Sequence, residues 1–534
     1  MNNKHSVCIE LKRDSWLFCS ARGDQSVKGY AYCGSILLDG ADLMEYLYQE
    51  CLKGELSSSL KNLSGNFAAI IQCNDETYII EDKLRSYPLF YLKSTAGVWT
   101  VSDNIEDVLS LESTIDIDIV REAELVALGY LQSGCTLLNH CFTVGAGSFA
   151  VINPSKSIAQ VIEYHEFPLI SDSDLISFES IKIQAKEKLR EAFHKMILTI
   201  KDRPIAIPLS GGYDSRLIAC LCKEFNLKNV ICFTYGIKGS PEVRMSEKVA
   251  KTLGFPWYYV EYTSESNKSF LLSDKYAEFS LFAMNLNARP HVQDFIAIEQ
   301  LIKDGVLNSN FVILPGHSGD LLGGSHLSLS KFKKYGLLSE LIFSQYYIDS
   351  ELIDSYKDKI LDRFPEKYKV CCGRDVDTIA CLHQNWNIKT RQSNYIINSV
   401  RVYEYFGMDW RIPLWDDDFA EFWLKIKSSF KIETKVYNKF MFDCYFKPHK
   451  VDFIQFKRAA IPLPVTLKRT FKNLFLLIPF IRKYLDTNAI TMSFDDFGIE
   501  MPPFLKSKNM SVMALHSLWL LCRFRSYKNG SKIV

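Results

Sequence analysis

The sequence predicts a mixed α/β protein whose parallel sheet carries a ligand site at the ends of its strands. Two apolar segments, 205–209 and 311–314, each run into a glycine-containing loop with one aspartate. Between them, strand-like runs at 229–235 and 257–262 flank residues 241–253, whose apolar side chains recur at helical spacing. Strands that alternate with helices at this spacing are typical of parallel βαβ units. An alternating apolar pattern over residues 68–80 separately predicts two paired strands nearer the N-terminus.

The first loop has the composition of a phosphate cradle. Its residues are Ser210, Gly211, Gly212, Tyr213, Asp214 and Ser215. The adjacent glycines are expected to take positive φ and to let the backbone approach a ligand. A helix predicted from Ser215 onward would direct its first amides and its dipole at an anion. A carboxylate repels phosphate, so Asp214 fits this loop if it holds Mg²⁺ bound to the phosphates.

An ordinary strand-to-helix turn is the alternative for this loop, and a second loop argues against it. Residues 315–324 again place glycines and one carboxylate, Asp320, after an apolar strand. Ligands of open α/β sheets bind beyond the carboxyl ends of the strands, so the two loops are expected to meet there. The chain contains no GxxxxGK[ST] segment and no GxGxxG segment that opens a helix, which excludes those two nucleotide motifs.

Composition limits the other function classes. The 534 residues predict two to four domains, and the formal charge of +1 gives no electrostatic reason to expect nucleic acid or an anionic membrane as partner. No apolar stretch follows the first residues, so we expect no signal peptide and a cytoplasmic protein. The apolar run 474–481 is too short to span a bilayer and is predicted to be a core helix. The 15 cysteines include no CxxC pair and are expected to be mostly buried free thiols.

Five segments of the C-terminal two-thirds resemble the asparagine synthetase family of PP-loop ATP pyrophosphatase-type enzymes. They are residues 209–215, 232–242, 314–324, 407–416 and 456–462. The resemblance implies ATP and Mg²⁺ as cofactors, with Asp214 and Asp320 as metal ligands and Lys457 as the catalytic cation. It further implies a pyrophosphate site formed by Ser210, Gly211, Gly212 and Ser215. The adenosine site that it implies is formed by Leu209, Tyr235 and Gly316.

The N-terminal part is similar to the glutamine amidotransferase domain of the same family. Residues 63–69, 81–91 and 103–108 carry this similarity. It implies an Ntn-type αββα sandwich over residues 1–168, followed by the synthetase domain over 172–534. Where glutamine-hydrolysing members have a nucleophilic cysteine after the initiator methionine, this chain has Asn2. Cys8 is expected to be a buried structural residue, because its amide nitrogen cannot act as the base.

The resemblance implies an ATP-dependent carbon–nitrogen ligase that joins a small-molecule or peptide carboxylate to ammonia or another amine through an acyl-adenylate. Because Asn2 makes glutamine hydrolysis doubtful, the pattern is also similar to β-lactam synthetase, to lasso-peptide cyclases and to asparagine-synthetase-like proteins of polysaccharide assembly. A macrolactam-forming cyclase and a non-catalytic nucleotide-binding homologue are the alternatives, and a homodimer stays open as an assembly. His317, which stands where asparagine synthetases have glutamate, would accept a proton from the amine or pack as a neutral donor. Arg289 would pair with a substrate carboxylate or hold a helix end.

Overall fold

The computed structural model describes most of the chain. The described residues are 7–20, 24–104, 110, 116–132, 134–156, 158–168, 177–328, 332, 334–346, 355–371, 375–454, 517, 520 and 521. The strands are β1 (Cys8–Glu10), β2 (Leu17–Cys19), β3 (Gln25–Cys33), β4 (Ile36–Asp39), β5 (Leu63–Cys73), β6 (Glu76–Glu81), β7 (Phe90–Lys93), β8 (Trp99–Ser102), β9 (Cys141–Thr143), β10 (Ser148–Ile152), β11 (Gln160–Glu163), β12 (Ile205–Pro208), β13 (Val230–Gly236), β14 (Trp257–Glu261), β15 (Val312–Ile313) and β16 (Asp409–Trp410).

The α-helices are Gly40–Lys53, Leu56–Asn62, Ile119–Leu128, Phe178–Ile200, Tyr213–Glu224, Pro241–Leu253, Ser264–Leu271, Asp274–Met284, Phe295–Lys303, Gly319–Leu322, Leu338–Tyr346, Lys357–Asp362, Val376–Trp386, Arg401–Tyr405, Asp417–Lys425, Ser428–Lys431 and Lys435–Met441. Short 3₁₀ helices span Glu366–Tyr368, Ile397–Val400, Pro413–Trp415 and Ile432–Thr434, and π-helices span Asn387–Ile396 and Phe442–Phe446.

Two sheets pack face to face in the N-terminal part. One has the order β11-β10-β6-β5-β3-β2 with β4 beside β3, and the other has the order β1-β8-β7-β9. Side chains alternate along β5, so that Ala68 and Ile70 face the second sheet while Ala69 and Ile71 face the helix Gly40–Lys53. The helix Ile119–Leu128 covers the outer face of the second sheet. The layers therefore run helix, sheet, sheet, helix, and one strand pair, β1 with β8, is parallel rather than antiparallel.

The strand pair predicted over residues 68–80 is confirmed as β5 and β6, which pair antiparallel. The two residues that join them, Asn74 and Asp75, both have positive φ, at 51° and 62°. Two consecutive positive φ values are the geometry of a type I′ turn, whose twist matches that of the flanking strands. Asn and Asp tolerate this conformation better than other non-glycine residues, which explains why the hairpin turns here.

The predicted parallel sheet is confirmed, with the order β14-β13-β12-β15-β16 and every neighbouring pair parallel. Strand β12 lies in the middle, with β13 on one side and β15, which comes much later in the chain, on the other. The strand order thus reverses beside β12, and such a switch point is where ligands of open α/β sheets bind. The helix Pro241–Leu253 has the predicted bounds, and Ser240 caps its first turn through Val243. The first-loop helix begins at Tyr213, two residues before its predicted start.

The π-helix Asn387–Ile396 ties the N-terminal sheets to the rest of the chain through buried polar groups. Lys389 donates to the carbonyl oxygen of Ala146 at 2.7 Å, and the side-chain amide of Asn394 donates to that of Leu131 at 2.8 Å. Arg85, in the segment that connects β6 to β7, donates in turn to Asn394 Oδ1 at 3.2 Å. Because each of these donors is buried, the contacts fix how the two parts meet.

One expectation from the sequence is wrong, and others concern residues outside the described part of the chain. Cys8 lies in β1 as expected but is exposed, so its predicted burial is wrong. The predicted domain limits at 168 and 172 stay predictions, because residues 169–176 are outside the described part, as are Asn2 and the apolar run 474–481. Among the helices described, none combines the length and apolar character needed to cross a membrane.

We predict that Gly29→Ala destabilises the β3–β5 pairing far more than Gly34→Ala does. Gly29 has φ +88°, and a methyl group there would clash with the backbone oxygen of Asn66, whereas Gly34 has φ +61° and open space around it. Strain alone costs about 1–2 kcal/mol in each case, and the clash adds about 1–3 kcal/mol at Gly29 only. Urea unfolding curves of the two variants provide the comparison, and equal losses of stability would contradict the close approach.

Candidate active site at the ends of two parallel strands

The first loop is closed on itself by serine hydroxyls. The Ser210 amide donates to Ser215 Oγ at 3.2 Å, and the Gly212 amide donates to Ser210 Oγ at 3.0 Å. Ser215 is buried, and its hydroxyl also lies 3.1 Å from that of Ser210. The helix that follows has Gly212 as its N-cap, and no side chain caps its first turn. A helix start of this kind suits an anion, and the predicted phosphate site there stays a prediction.

The glycines of this loop serve a different purpose from the predicted one. Gly212 has φ −70°, and Gly211 is not among the glycines with positive φ, so the expectation of positive φ is wrong. A methyl group on Gly211 would instead lie 3.2 Å from the Cα atom of Glu242, at the start of the helix Pro241–Leu253. Gly211 is therefore small because a helix packs closely against it.

The second loop packs directly onto the first. A methyl group at Gly316 would clash with the backbone of Asp214 and Ser215, and one at Gly319 would lie 2.7 Å from Asp214 Oδ1. The backbone amide of Asp320 donates to Asp214 Oδ2 at 3.1 Å. The loops after β12 and β15 thus meet at one edge of the sheet, as the sequence predicts, and their two carboxylates are neighbours.

The electrostatics of this pair suit a divalent cation. Burial, together with the charge of Asp320, raises the pKa of Asp214 to about 8. Among the described residues, no lysine or arginine forms an ion pair with either carboxylate, while Ser325 donates to Asp320 at 2.9 Å. No group of three or more acidic, histidine or cysteine side chains is assembled there or elsewhere in the described chain. Two carboxylates whose remaining ligands come from water and substrate phosphates are typical of Mg²⁺ sites.

Tyr437 belongs to this site although its sequence position gave no signal. A methyl group at Gly319 would meet the Tyr437 hydroxyl as well as Asp214 Oδ1, so hydroxyl and carboxylate flank the same point. Tyr437 is buried, and within the described part of the chain its hydroxyl has no hydrogen-bond partner. A buried polar group of this kind is costly unless a ligand or water satisfies it. It therefore supports a ligand beside the two aspartates.

His317 is held in its neutral form. Its Nε2 atom lies 2.8 Å from Ser399 Oγ, and burial lowers the pKa of the imidazole to about 4. A base needs a pKa near the working pH to be efficient. Of the two roles considered for His317, the geometry therefore favours the neutral one over proton acceptance from an amine.

Two of the three residues expected to border adenosine, Leu209 and Tyr235, are already engaged in other contacts. The side chain of Leu209 is buried in the core, and its backbone groups bond to the Phe233 carbonyl and the Thr234 hydroxyl. The Tyr235 hydroxyl donates to the half-buried carboxylate of Asp294. Leu209 and Tyr235 thus form part of the wall of the site, and the groups named here are occupied by contacts within the protein.

Arg216 is a second residue that sequence reasoning missed. It is fully buried, and its guanidinium donates to the carbonyl oxygens of Val451 at 2.9 Å, Phe453 at 2.6 Å and Gly211 at 3.3 Å. It thereby joins the first loop to the segment that leads toward Lys457. The sequence does carry a signal for Arg216, because it is a charged residue within the apolar part of the helix Tyr213–Glu224. Lys457 itself lies outside the described residues.

Arg289 is built into the structure. Its Nη2 donates to the Tyr395 hydroxyl at 2.6 Å, its guanidinium lies 5.3 Å from the centre of that ring, and its backbone amide donates to the Gly129 carbonyl at 2.7 Å. Arg289 is buried and connects the segment before the second loop to the N-terminal part. These contacts favour a positioning role over a pairing with substrate.

The fold and the paired loops define an α/β protein with a strand-end site, and comparison with known proteins supplies the family. Residues 184–271, which include the first loop, match the family model described as asparagine synthase. Over these residues the chain is similar to the asparagine synthase family.

The relatives share only part of their length with this chain. A probable asparagine synthetase (glutamine-hydrolyzing) of Acanthamoeba polyphaga mimivirus is 33% identical over 210 residues, which are 38% of this chain and 35% of that protein. The asparagine synthetase (glutamine-hydrolyzing) of Gallus gallus is 23% identical over 283 residues, 48% of this chain and 46% of the relative. The chain thus spans between a third and a half of these relatives.

Among solved structures, the NH3-dependent NAD synthetase from Campylobacter jejuni is similar over 36% of this chain and 98% of its own, with 16% identity and a TM-score of 0.20.

We predict that the His317 ring stays neutral throughout the range in which an ordinary histidine, with a pKa of about 6.5, takes up a proton. Burial, which lowers the pKa to about 4, is the reason. A pH titration of the 13Cε1 signal in histidine-labelled protein measures it, with His317→Gln to assign the signal and free histidine as reference. A midpoint near that of free histidine would contradict the buried, neutral ring.

Proposed function

We propose that the protein is an ATP-dependent ligase that activates a carboxylate as an acyl-adenylate and transfers the acyl group to an amine. The substrate carboxylate attacks the α-phosphorus of ATP, and pyrophosphate leaves. The amine then attacks the acyl carbon, the bond from that carbon to the bridging oxygen breaks, and AMP leaves with that oxygen, which came from the carboxylate. The nitrogen forms the new amide bond and gives up a proton to water. Ammonia or another amine serves as the acceptor, and the carboxylate belongs to a small molecule or a peptide.

The contact between the two strand-end loops is the observation that carries this proposal. The backbone amide of Asp320 donates to Asp214 at 3.1 Å, beside a helix N-terminus that no side chain caps. Adenylate formation gathers negative charge from carboxylate, triphosphate and leaving pyrophosphate in one place, which demands donors and cations fixed in advance. The asparagine synthase match over residues 184–271 supports the same reaction class.

Each part of the site has a distinct task in this proposal. Ser210, Gly211, Gly212 and Ser215 hold the pyrophosphate portion through the first loop. Asp214 and Asp320 would hold Mg²⁺, which would neutralise phosphate charge and polarise the α-phosphorus. The Tyr437 hydroxyl would donate to a phosphate oxygen, and Gly316 keeps the second loop close to the first.

Lys457 completes the cationic side of the proposed site. This role rests on the resemblance of residues 456–462 to the family's lysine-bearing loop. The charge of Lys457 would stabilise the pyrophosphate as it departs.

We predict that purified protein exchanges labelled pyrophosphate into ATP in the presence of Mg²⁺ and its carboxylate substrate, for which aspartate and uronic acids are the first candidates. Asp214→Asn, Asp320→Asn and Lys457→Ala should each lower the exchange rate about 100-fold or more, because the aspartate substitutions remove proposed ligands of Mg²⁺ and Lys457→Ala removes a cation proposed to face the triphosphate. Asp304→Asn, an exposed carboxylate at the end of the helix Phe295–Lys303, is the matched control and should retain the rate.

Two outcomes would count against the ligase. Exchange that is unchanged in the aspartate variants would remove the proposed metal site. Absence of exchange with amino acids, sugar acids and peptides alike, despite ATP binding, would favour a non-catalytic nucleotide-binding protein. If exchange is observed, the next measurement is which amine leads to release of AMP. Release with added ammonia indicates an asparagine-forming enzyme, whereas release with an amine of the same substrate indicates a cyclase that closes a lactam.

A further inference from the structure

A second cavity, of about 420 Å³, lies between the N-terminal sheets and the helical segment that precedes the π-helix Asn387–Ile396. Its N-terminal wall includes Arg121, Gln132 and Glu163, and its other wall includes Arg363, Tyr368 and Lys389. None of these residues belongs to the two strand-end loops. The cavity therefore forms a separate chamber, large enough for a small molecule.

Two polar groups that line this cavity are buried without a partner. Gln132 is 8% exposed and Tyr368 is 3% exposed. In the described structure, neither the side-chain amide nitrogen of Gln132 nor the hydroxyl of Tyr368 makes a hydrogen bond. Leaving such a donor unsatisfied costs about 1–3 kcal/mol, and native proteins rarely do so without a ligand, ion or water at the site.

The charges around the cavity show which groups are free to bind a ligand. The Lys389 ammonium has no donor left for a ligand, because it donates to the carbonyl oxygens of Ala146 and His165 and pairs with Glu163 at 3.0 Å. Arg363 uses only its Nη2, which donates to Asp118 at 2.7 Å, and the rest of its planar fork makes no hydrogen bond within the described residues. The groups left without partners are therefore donors: the Arg363 fork, the Gln132 amide and the Tyr368 hydroxyl.

A carboxylate can satisfy these donors. The cavity is lined by four cationic side chains, Arg121, Arg363, Lys367 and Lys389, and by two acidic ones, Glu124 and Glu163, so its charge favours an anionic ligand. A carboxylate carries a single charge, accepts from several N–H and O–H groups at once, and matches the planar guanidinium fork.

We propose that this cavity is a binding site for a small carboxylate-bearing molecule, held by Gln132, Tyr368 and Arg363. The site is separate from the proposed nucleotide site, and its occupation needs neither ATP nor the ligase reaction. A failure of the proposed function would thus leave this inference untouched, and the reverse also holds.

Calorimetric titration of the full chain without ATP tests the proposal, with succinate and L-glutamate as carboxylate probes and inorganic phosphate as the comparison. Saturable binding of succinate or L-glutamate supports it. Binding of phosphate alone would overturn the assignment to carboxylates, and the absence of binding by either carboxylate probe would overturn the site.

Two variants locate the binding. Tyr368→Phe and Gln132→Leu should each weaken the carboxylate probe about tenfold, the equivalent of one charge-assisted hydrogen bond. Neither should lower the melting temperature of the ligand-free protein, because the groups removed have no partner there. Tyr445→Phe removes another buried, partnerless hydroxyl outside the cavity and should leave probe binding unchanged.

Two results would contradict this. Probe affinity that is equal in Tyr368→Phe and Tyr445→Phe would place the probe elsewhere. Loss of ligand-free stability in Tyr368→Phe would mean that the hydroxyl is structural. Because Tyr368→Phe keeps the ring and its packing, it decides the question even if Gln132→Leu fails to fold.

Discussion

The contact between the loops that follow β12 and β15 is the constraint on which the site depends. Asp214 accepts the backbone amide of Asp320, and this single hydrogen bond ties together two segments that are 106 positions apart. The contact exists only because Gly316 and Gly319 lack side chains where the second loop crosses the first. It brings two carboxylates together and raises the pKa of Asp214 to about 8, which is unfavourable unless a proton or a cation is shared.

Buried polar side chains connect the second loop to the N-terminal part of the molecule. Ser318, beside Asp320, takes a positive φ of 62° and donates to Gln392 at 2.5 Å. Gln392 lies in the same π-helix whose Lys389 and Asn394 bond to the N-terminal part. One irregular helix thus holds both the second loop and the N-terminal sheets. π-Helical geometry is frequent near functional sites, where it places side chains that a regular helix would turn away.

The sequence predicted what repeats locally and missed what depends on distant contacts. The apolar run 205–209 and the helical spacing of 241–253 are local patterns, and β12, β13 and the helix Pro241–Leu253 followed them. The meeting of Asp214 and Asp320 was predictable because parallel strands end at the same edge. The role of Gly211 was not, because a close approach by Glu242 cannot be read from neighbours in sequence.

Burial explains the remaining differences. Tyr437 and Arg216 act through contacts with residues far along the chain, so that no motif marks them. The neutrality of His317 likewise follows from its packing and from Ser399, which stands 82 positions later. The type of each residue indicates which bonds and charges its side chain can offer. Whether an imidazole is neutral, or a hydroxyl lacks a partner, depends on the tertiary structure around it.

The affinity for ATP with Mg²⁺ and with EDTA, measured for the wild type, Asp214→Asn, Asp320→Asn and the double variant, tests the central claim most directly. If the two carboxylates form one metal–nucleotide site, Mg²⁺ tightens ATP binding in the wild type. Each single substitution then removes that gain, and the double substitution costs little more than either one. A gain from Mg²⁺ that survives both substitutions, or losses that simply add, would contradict a shared site.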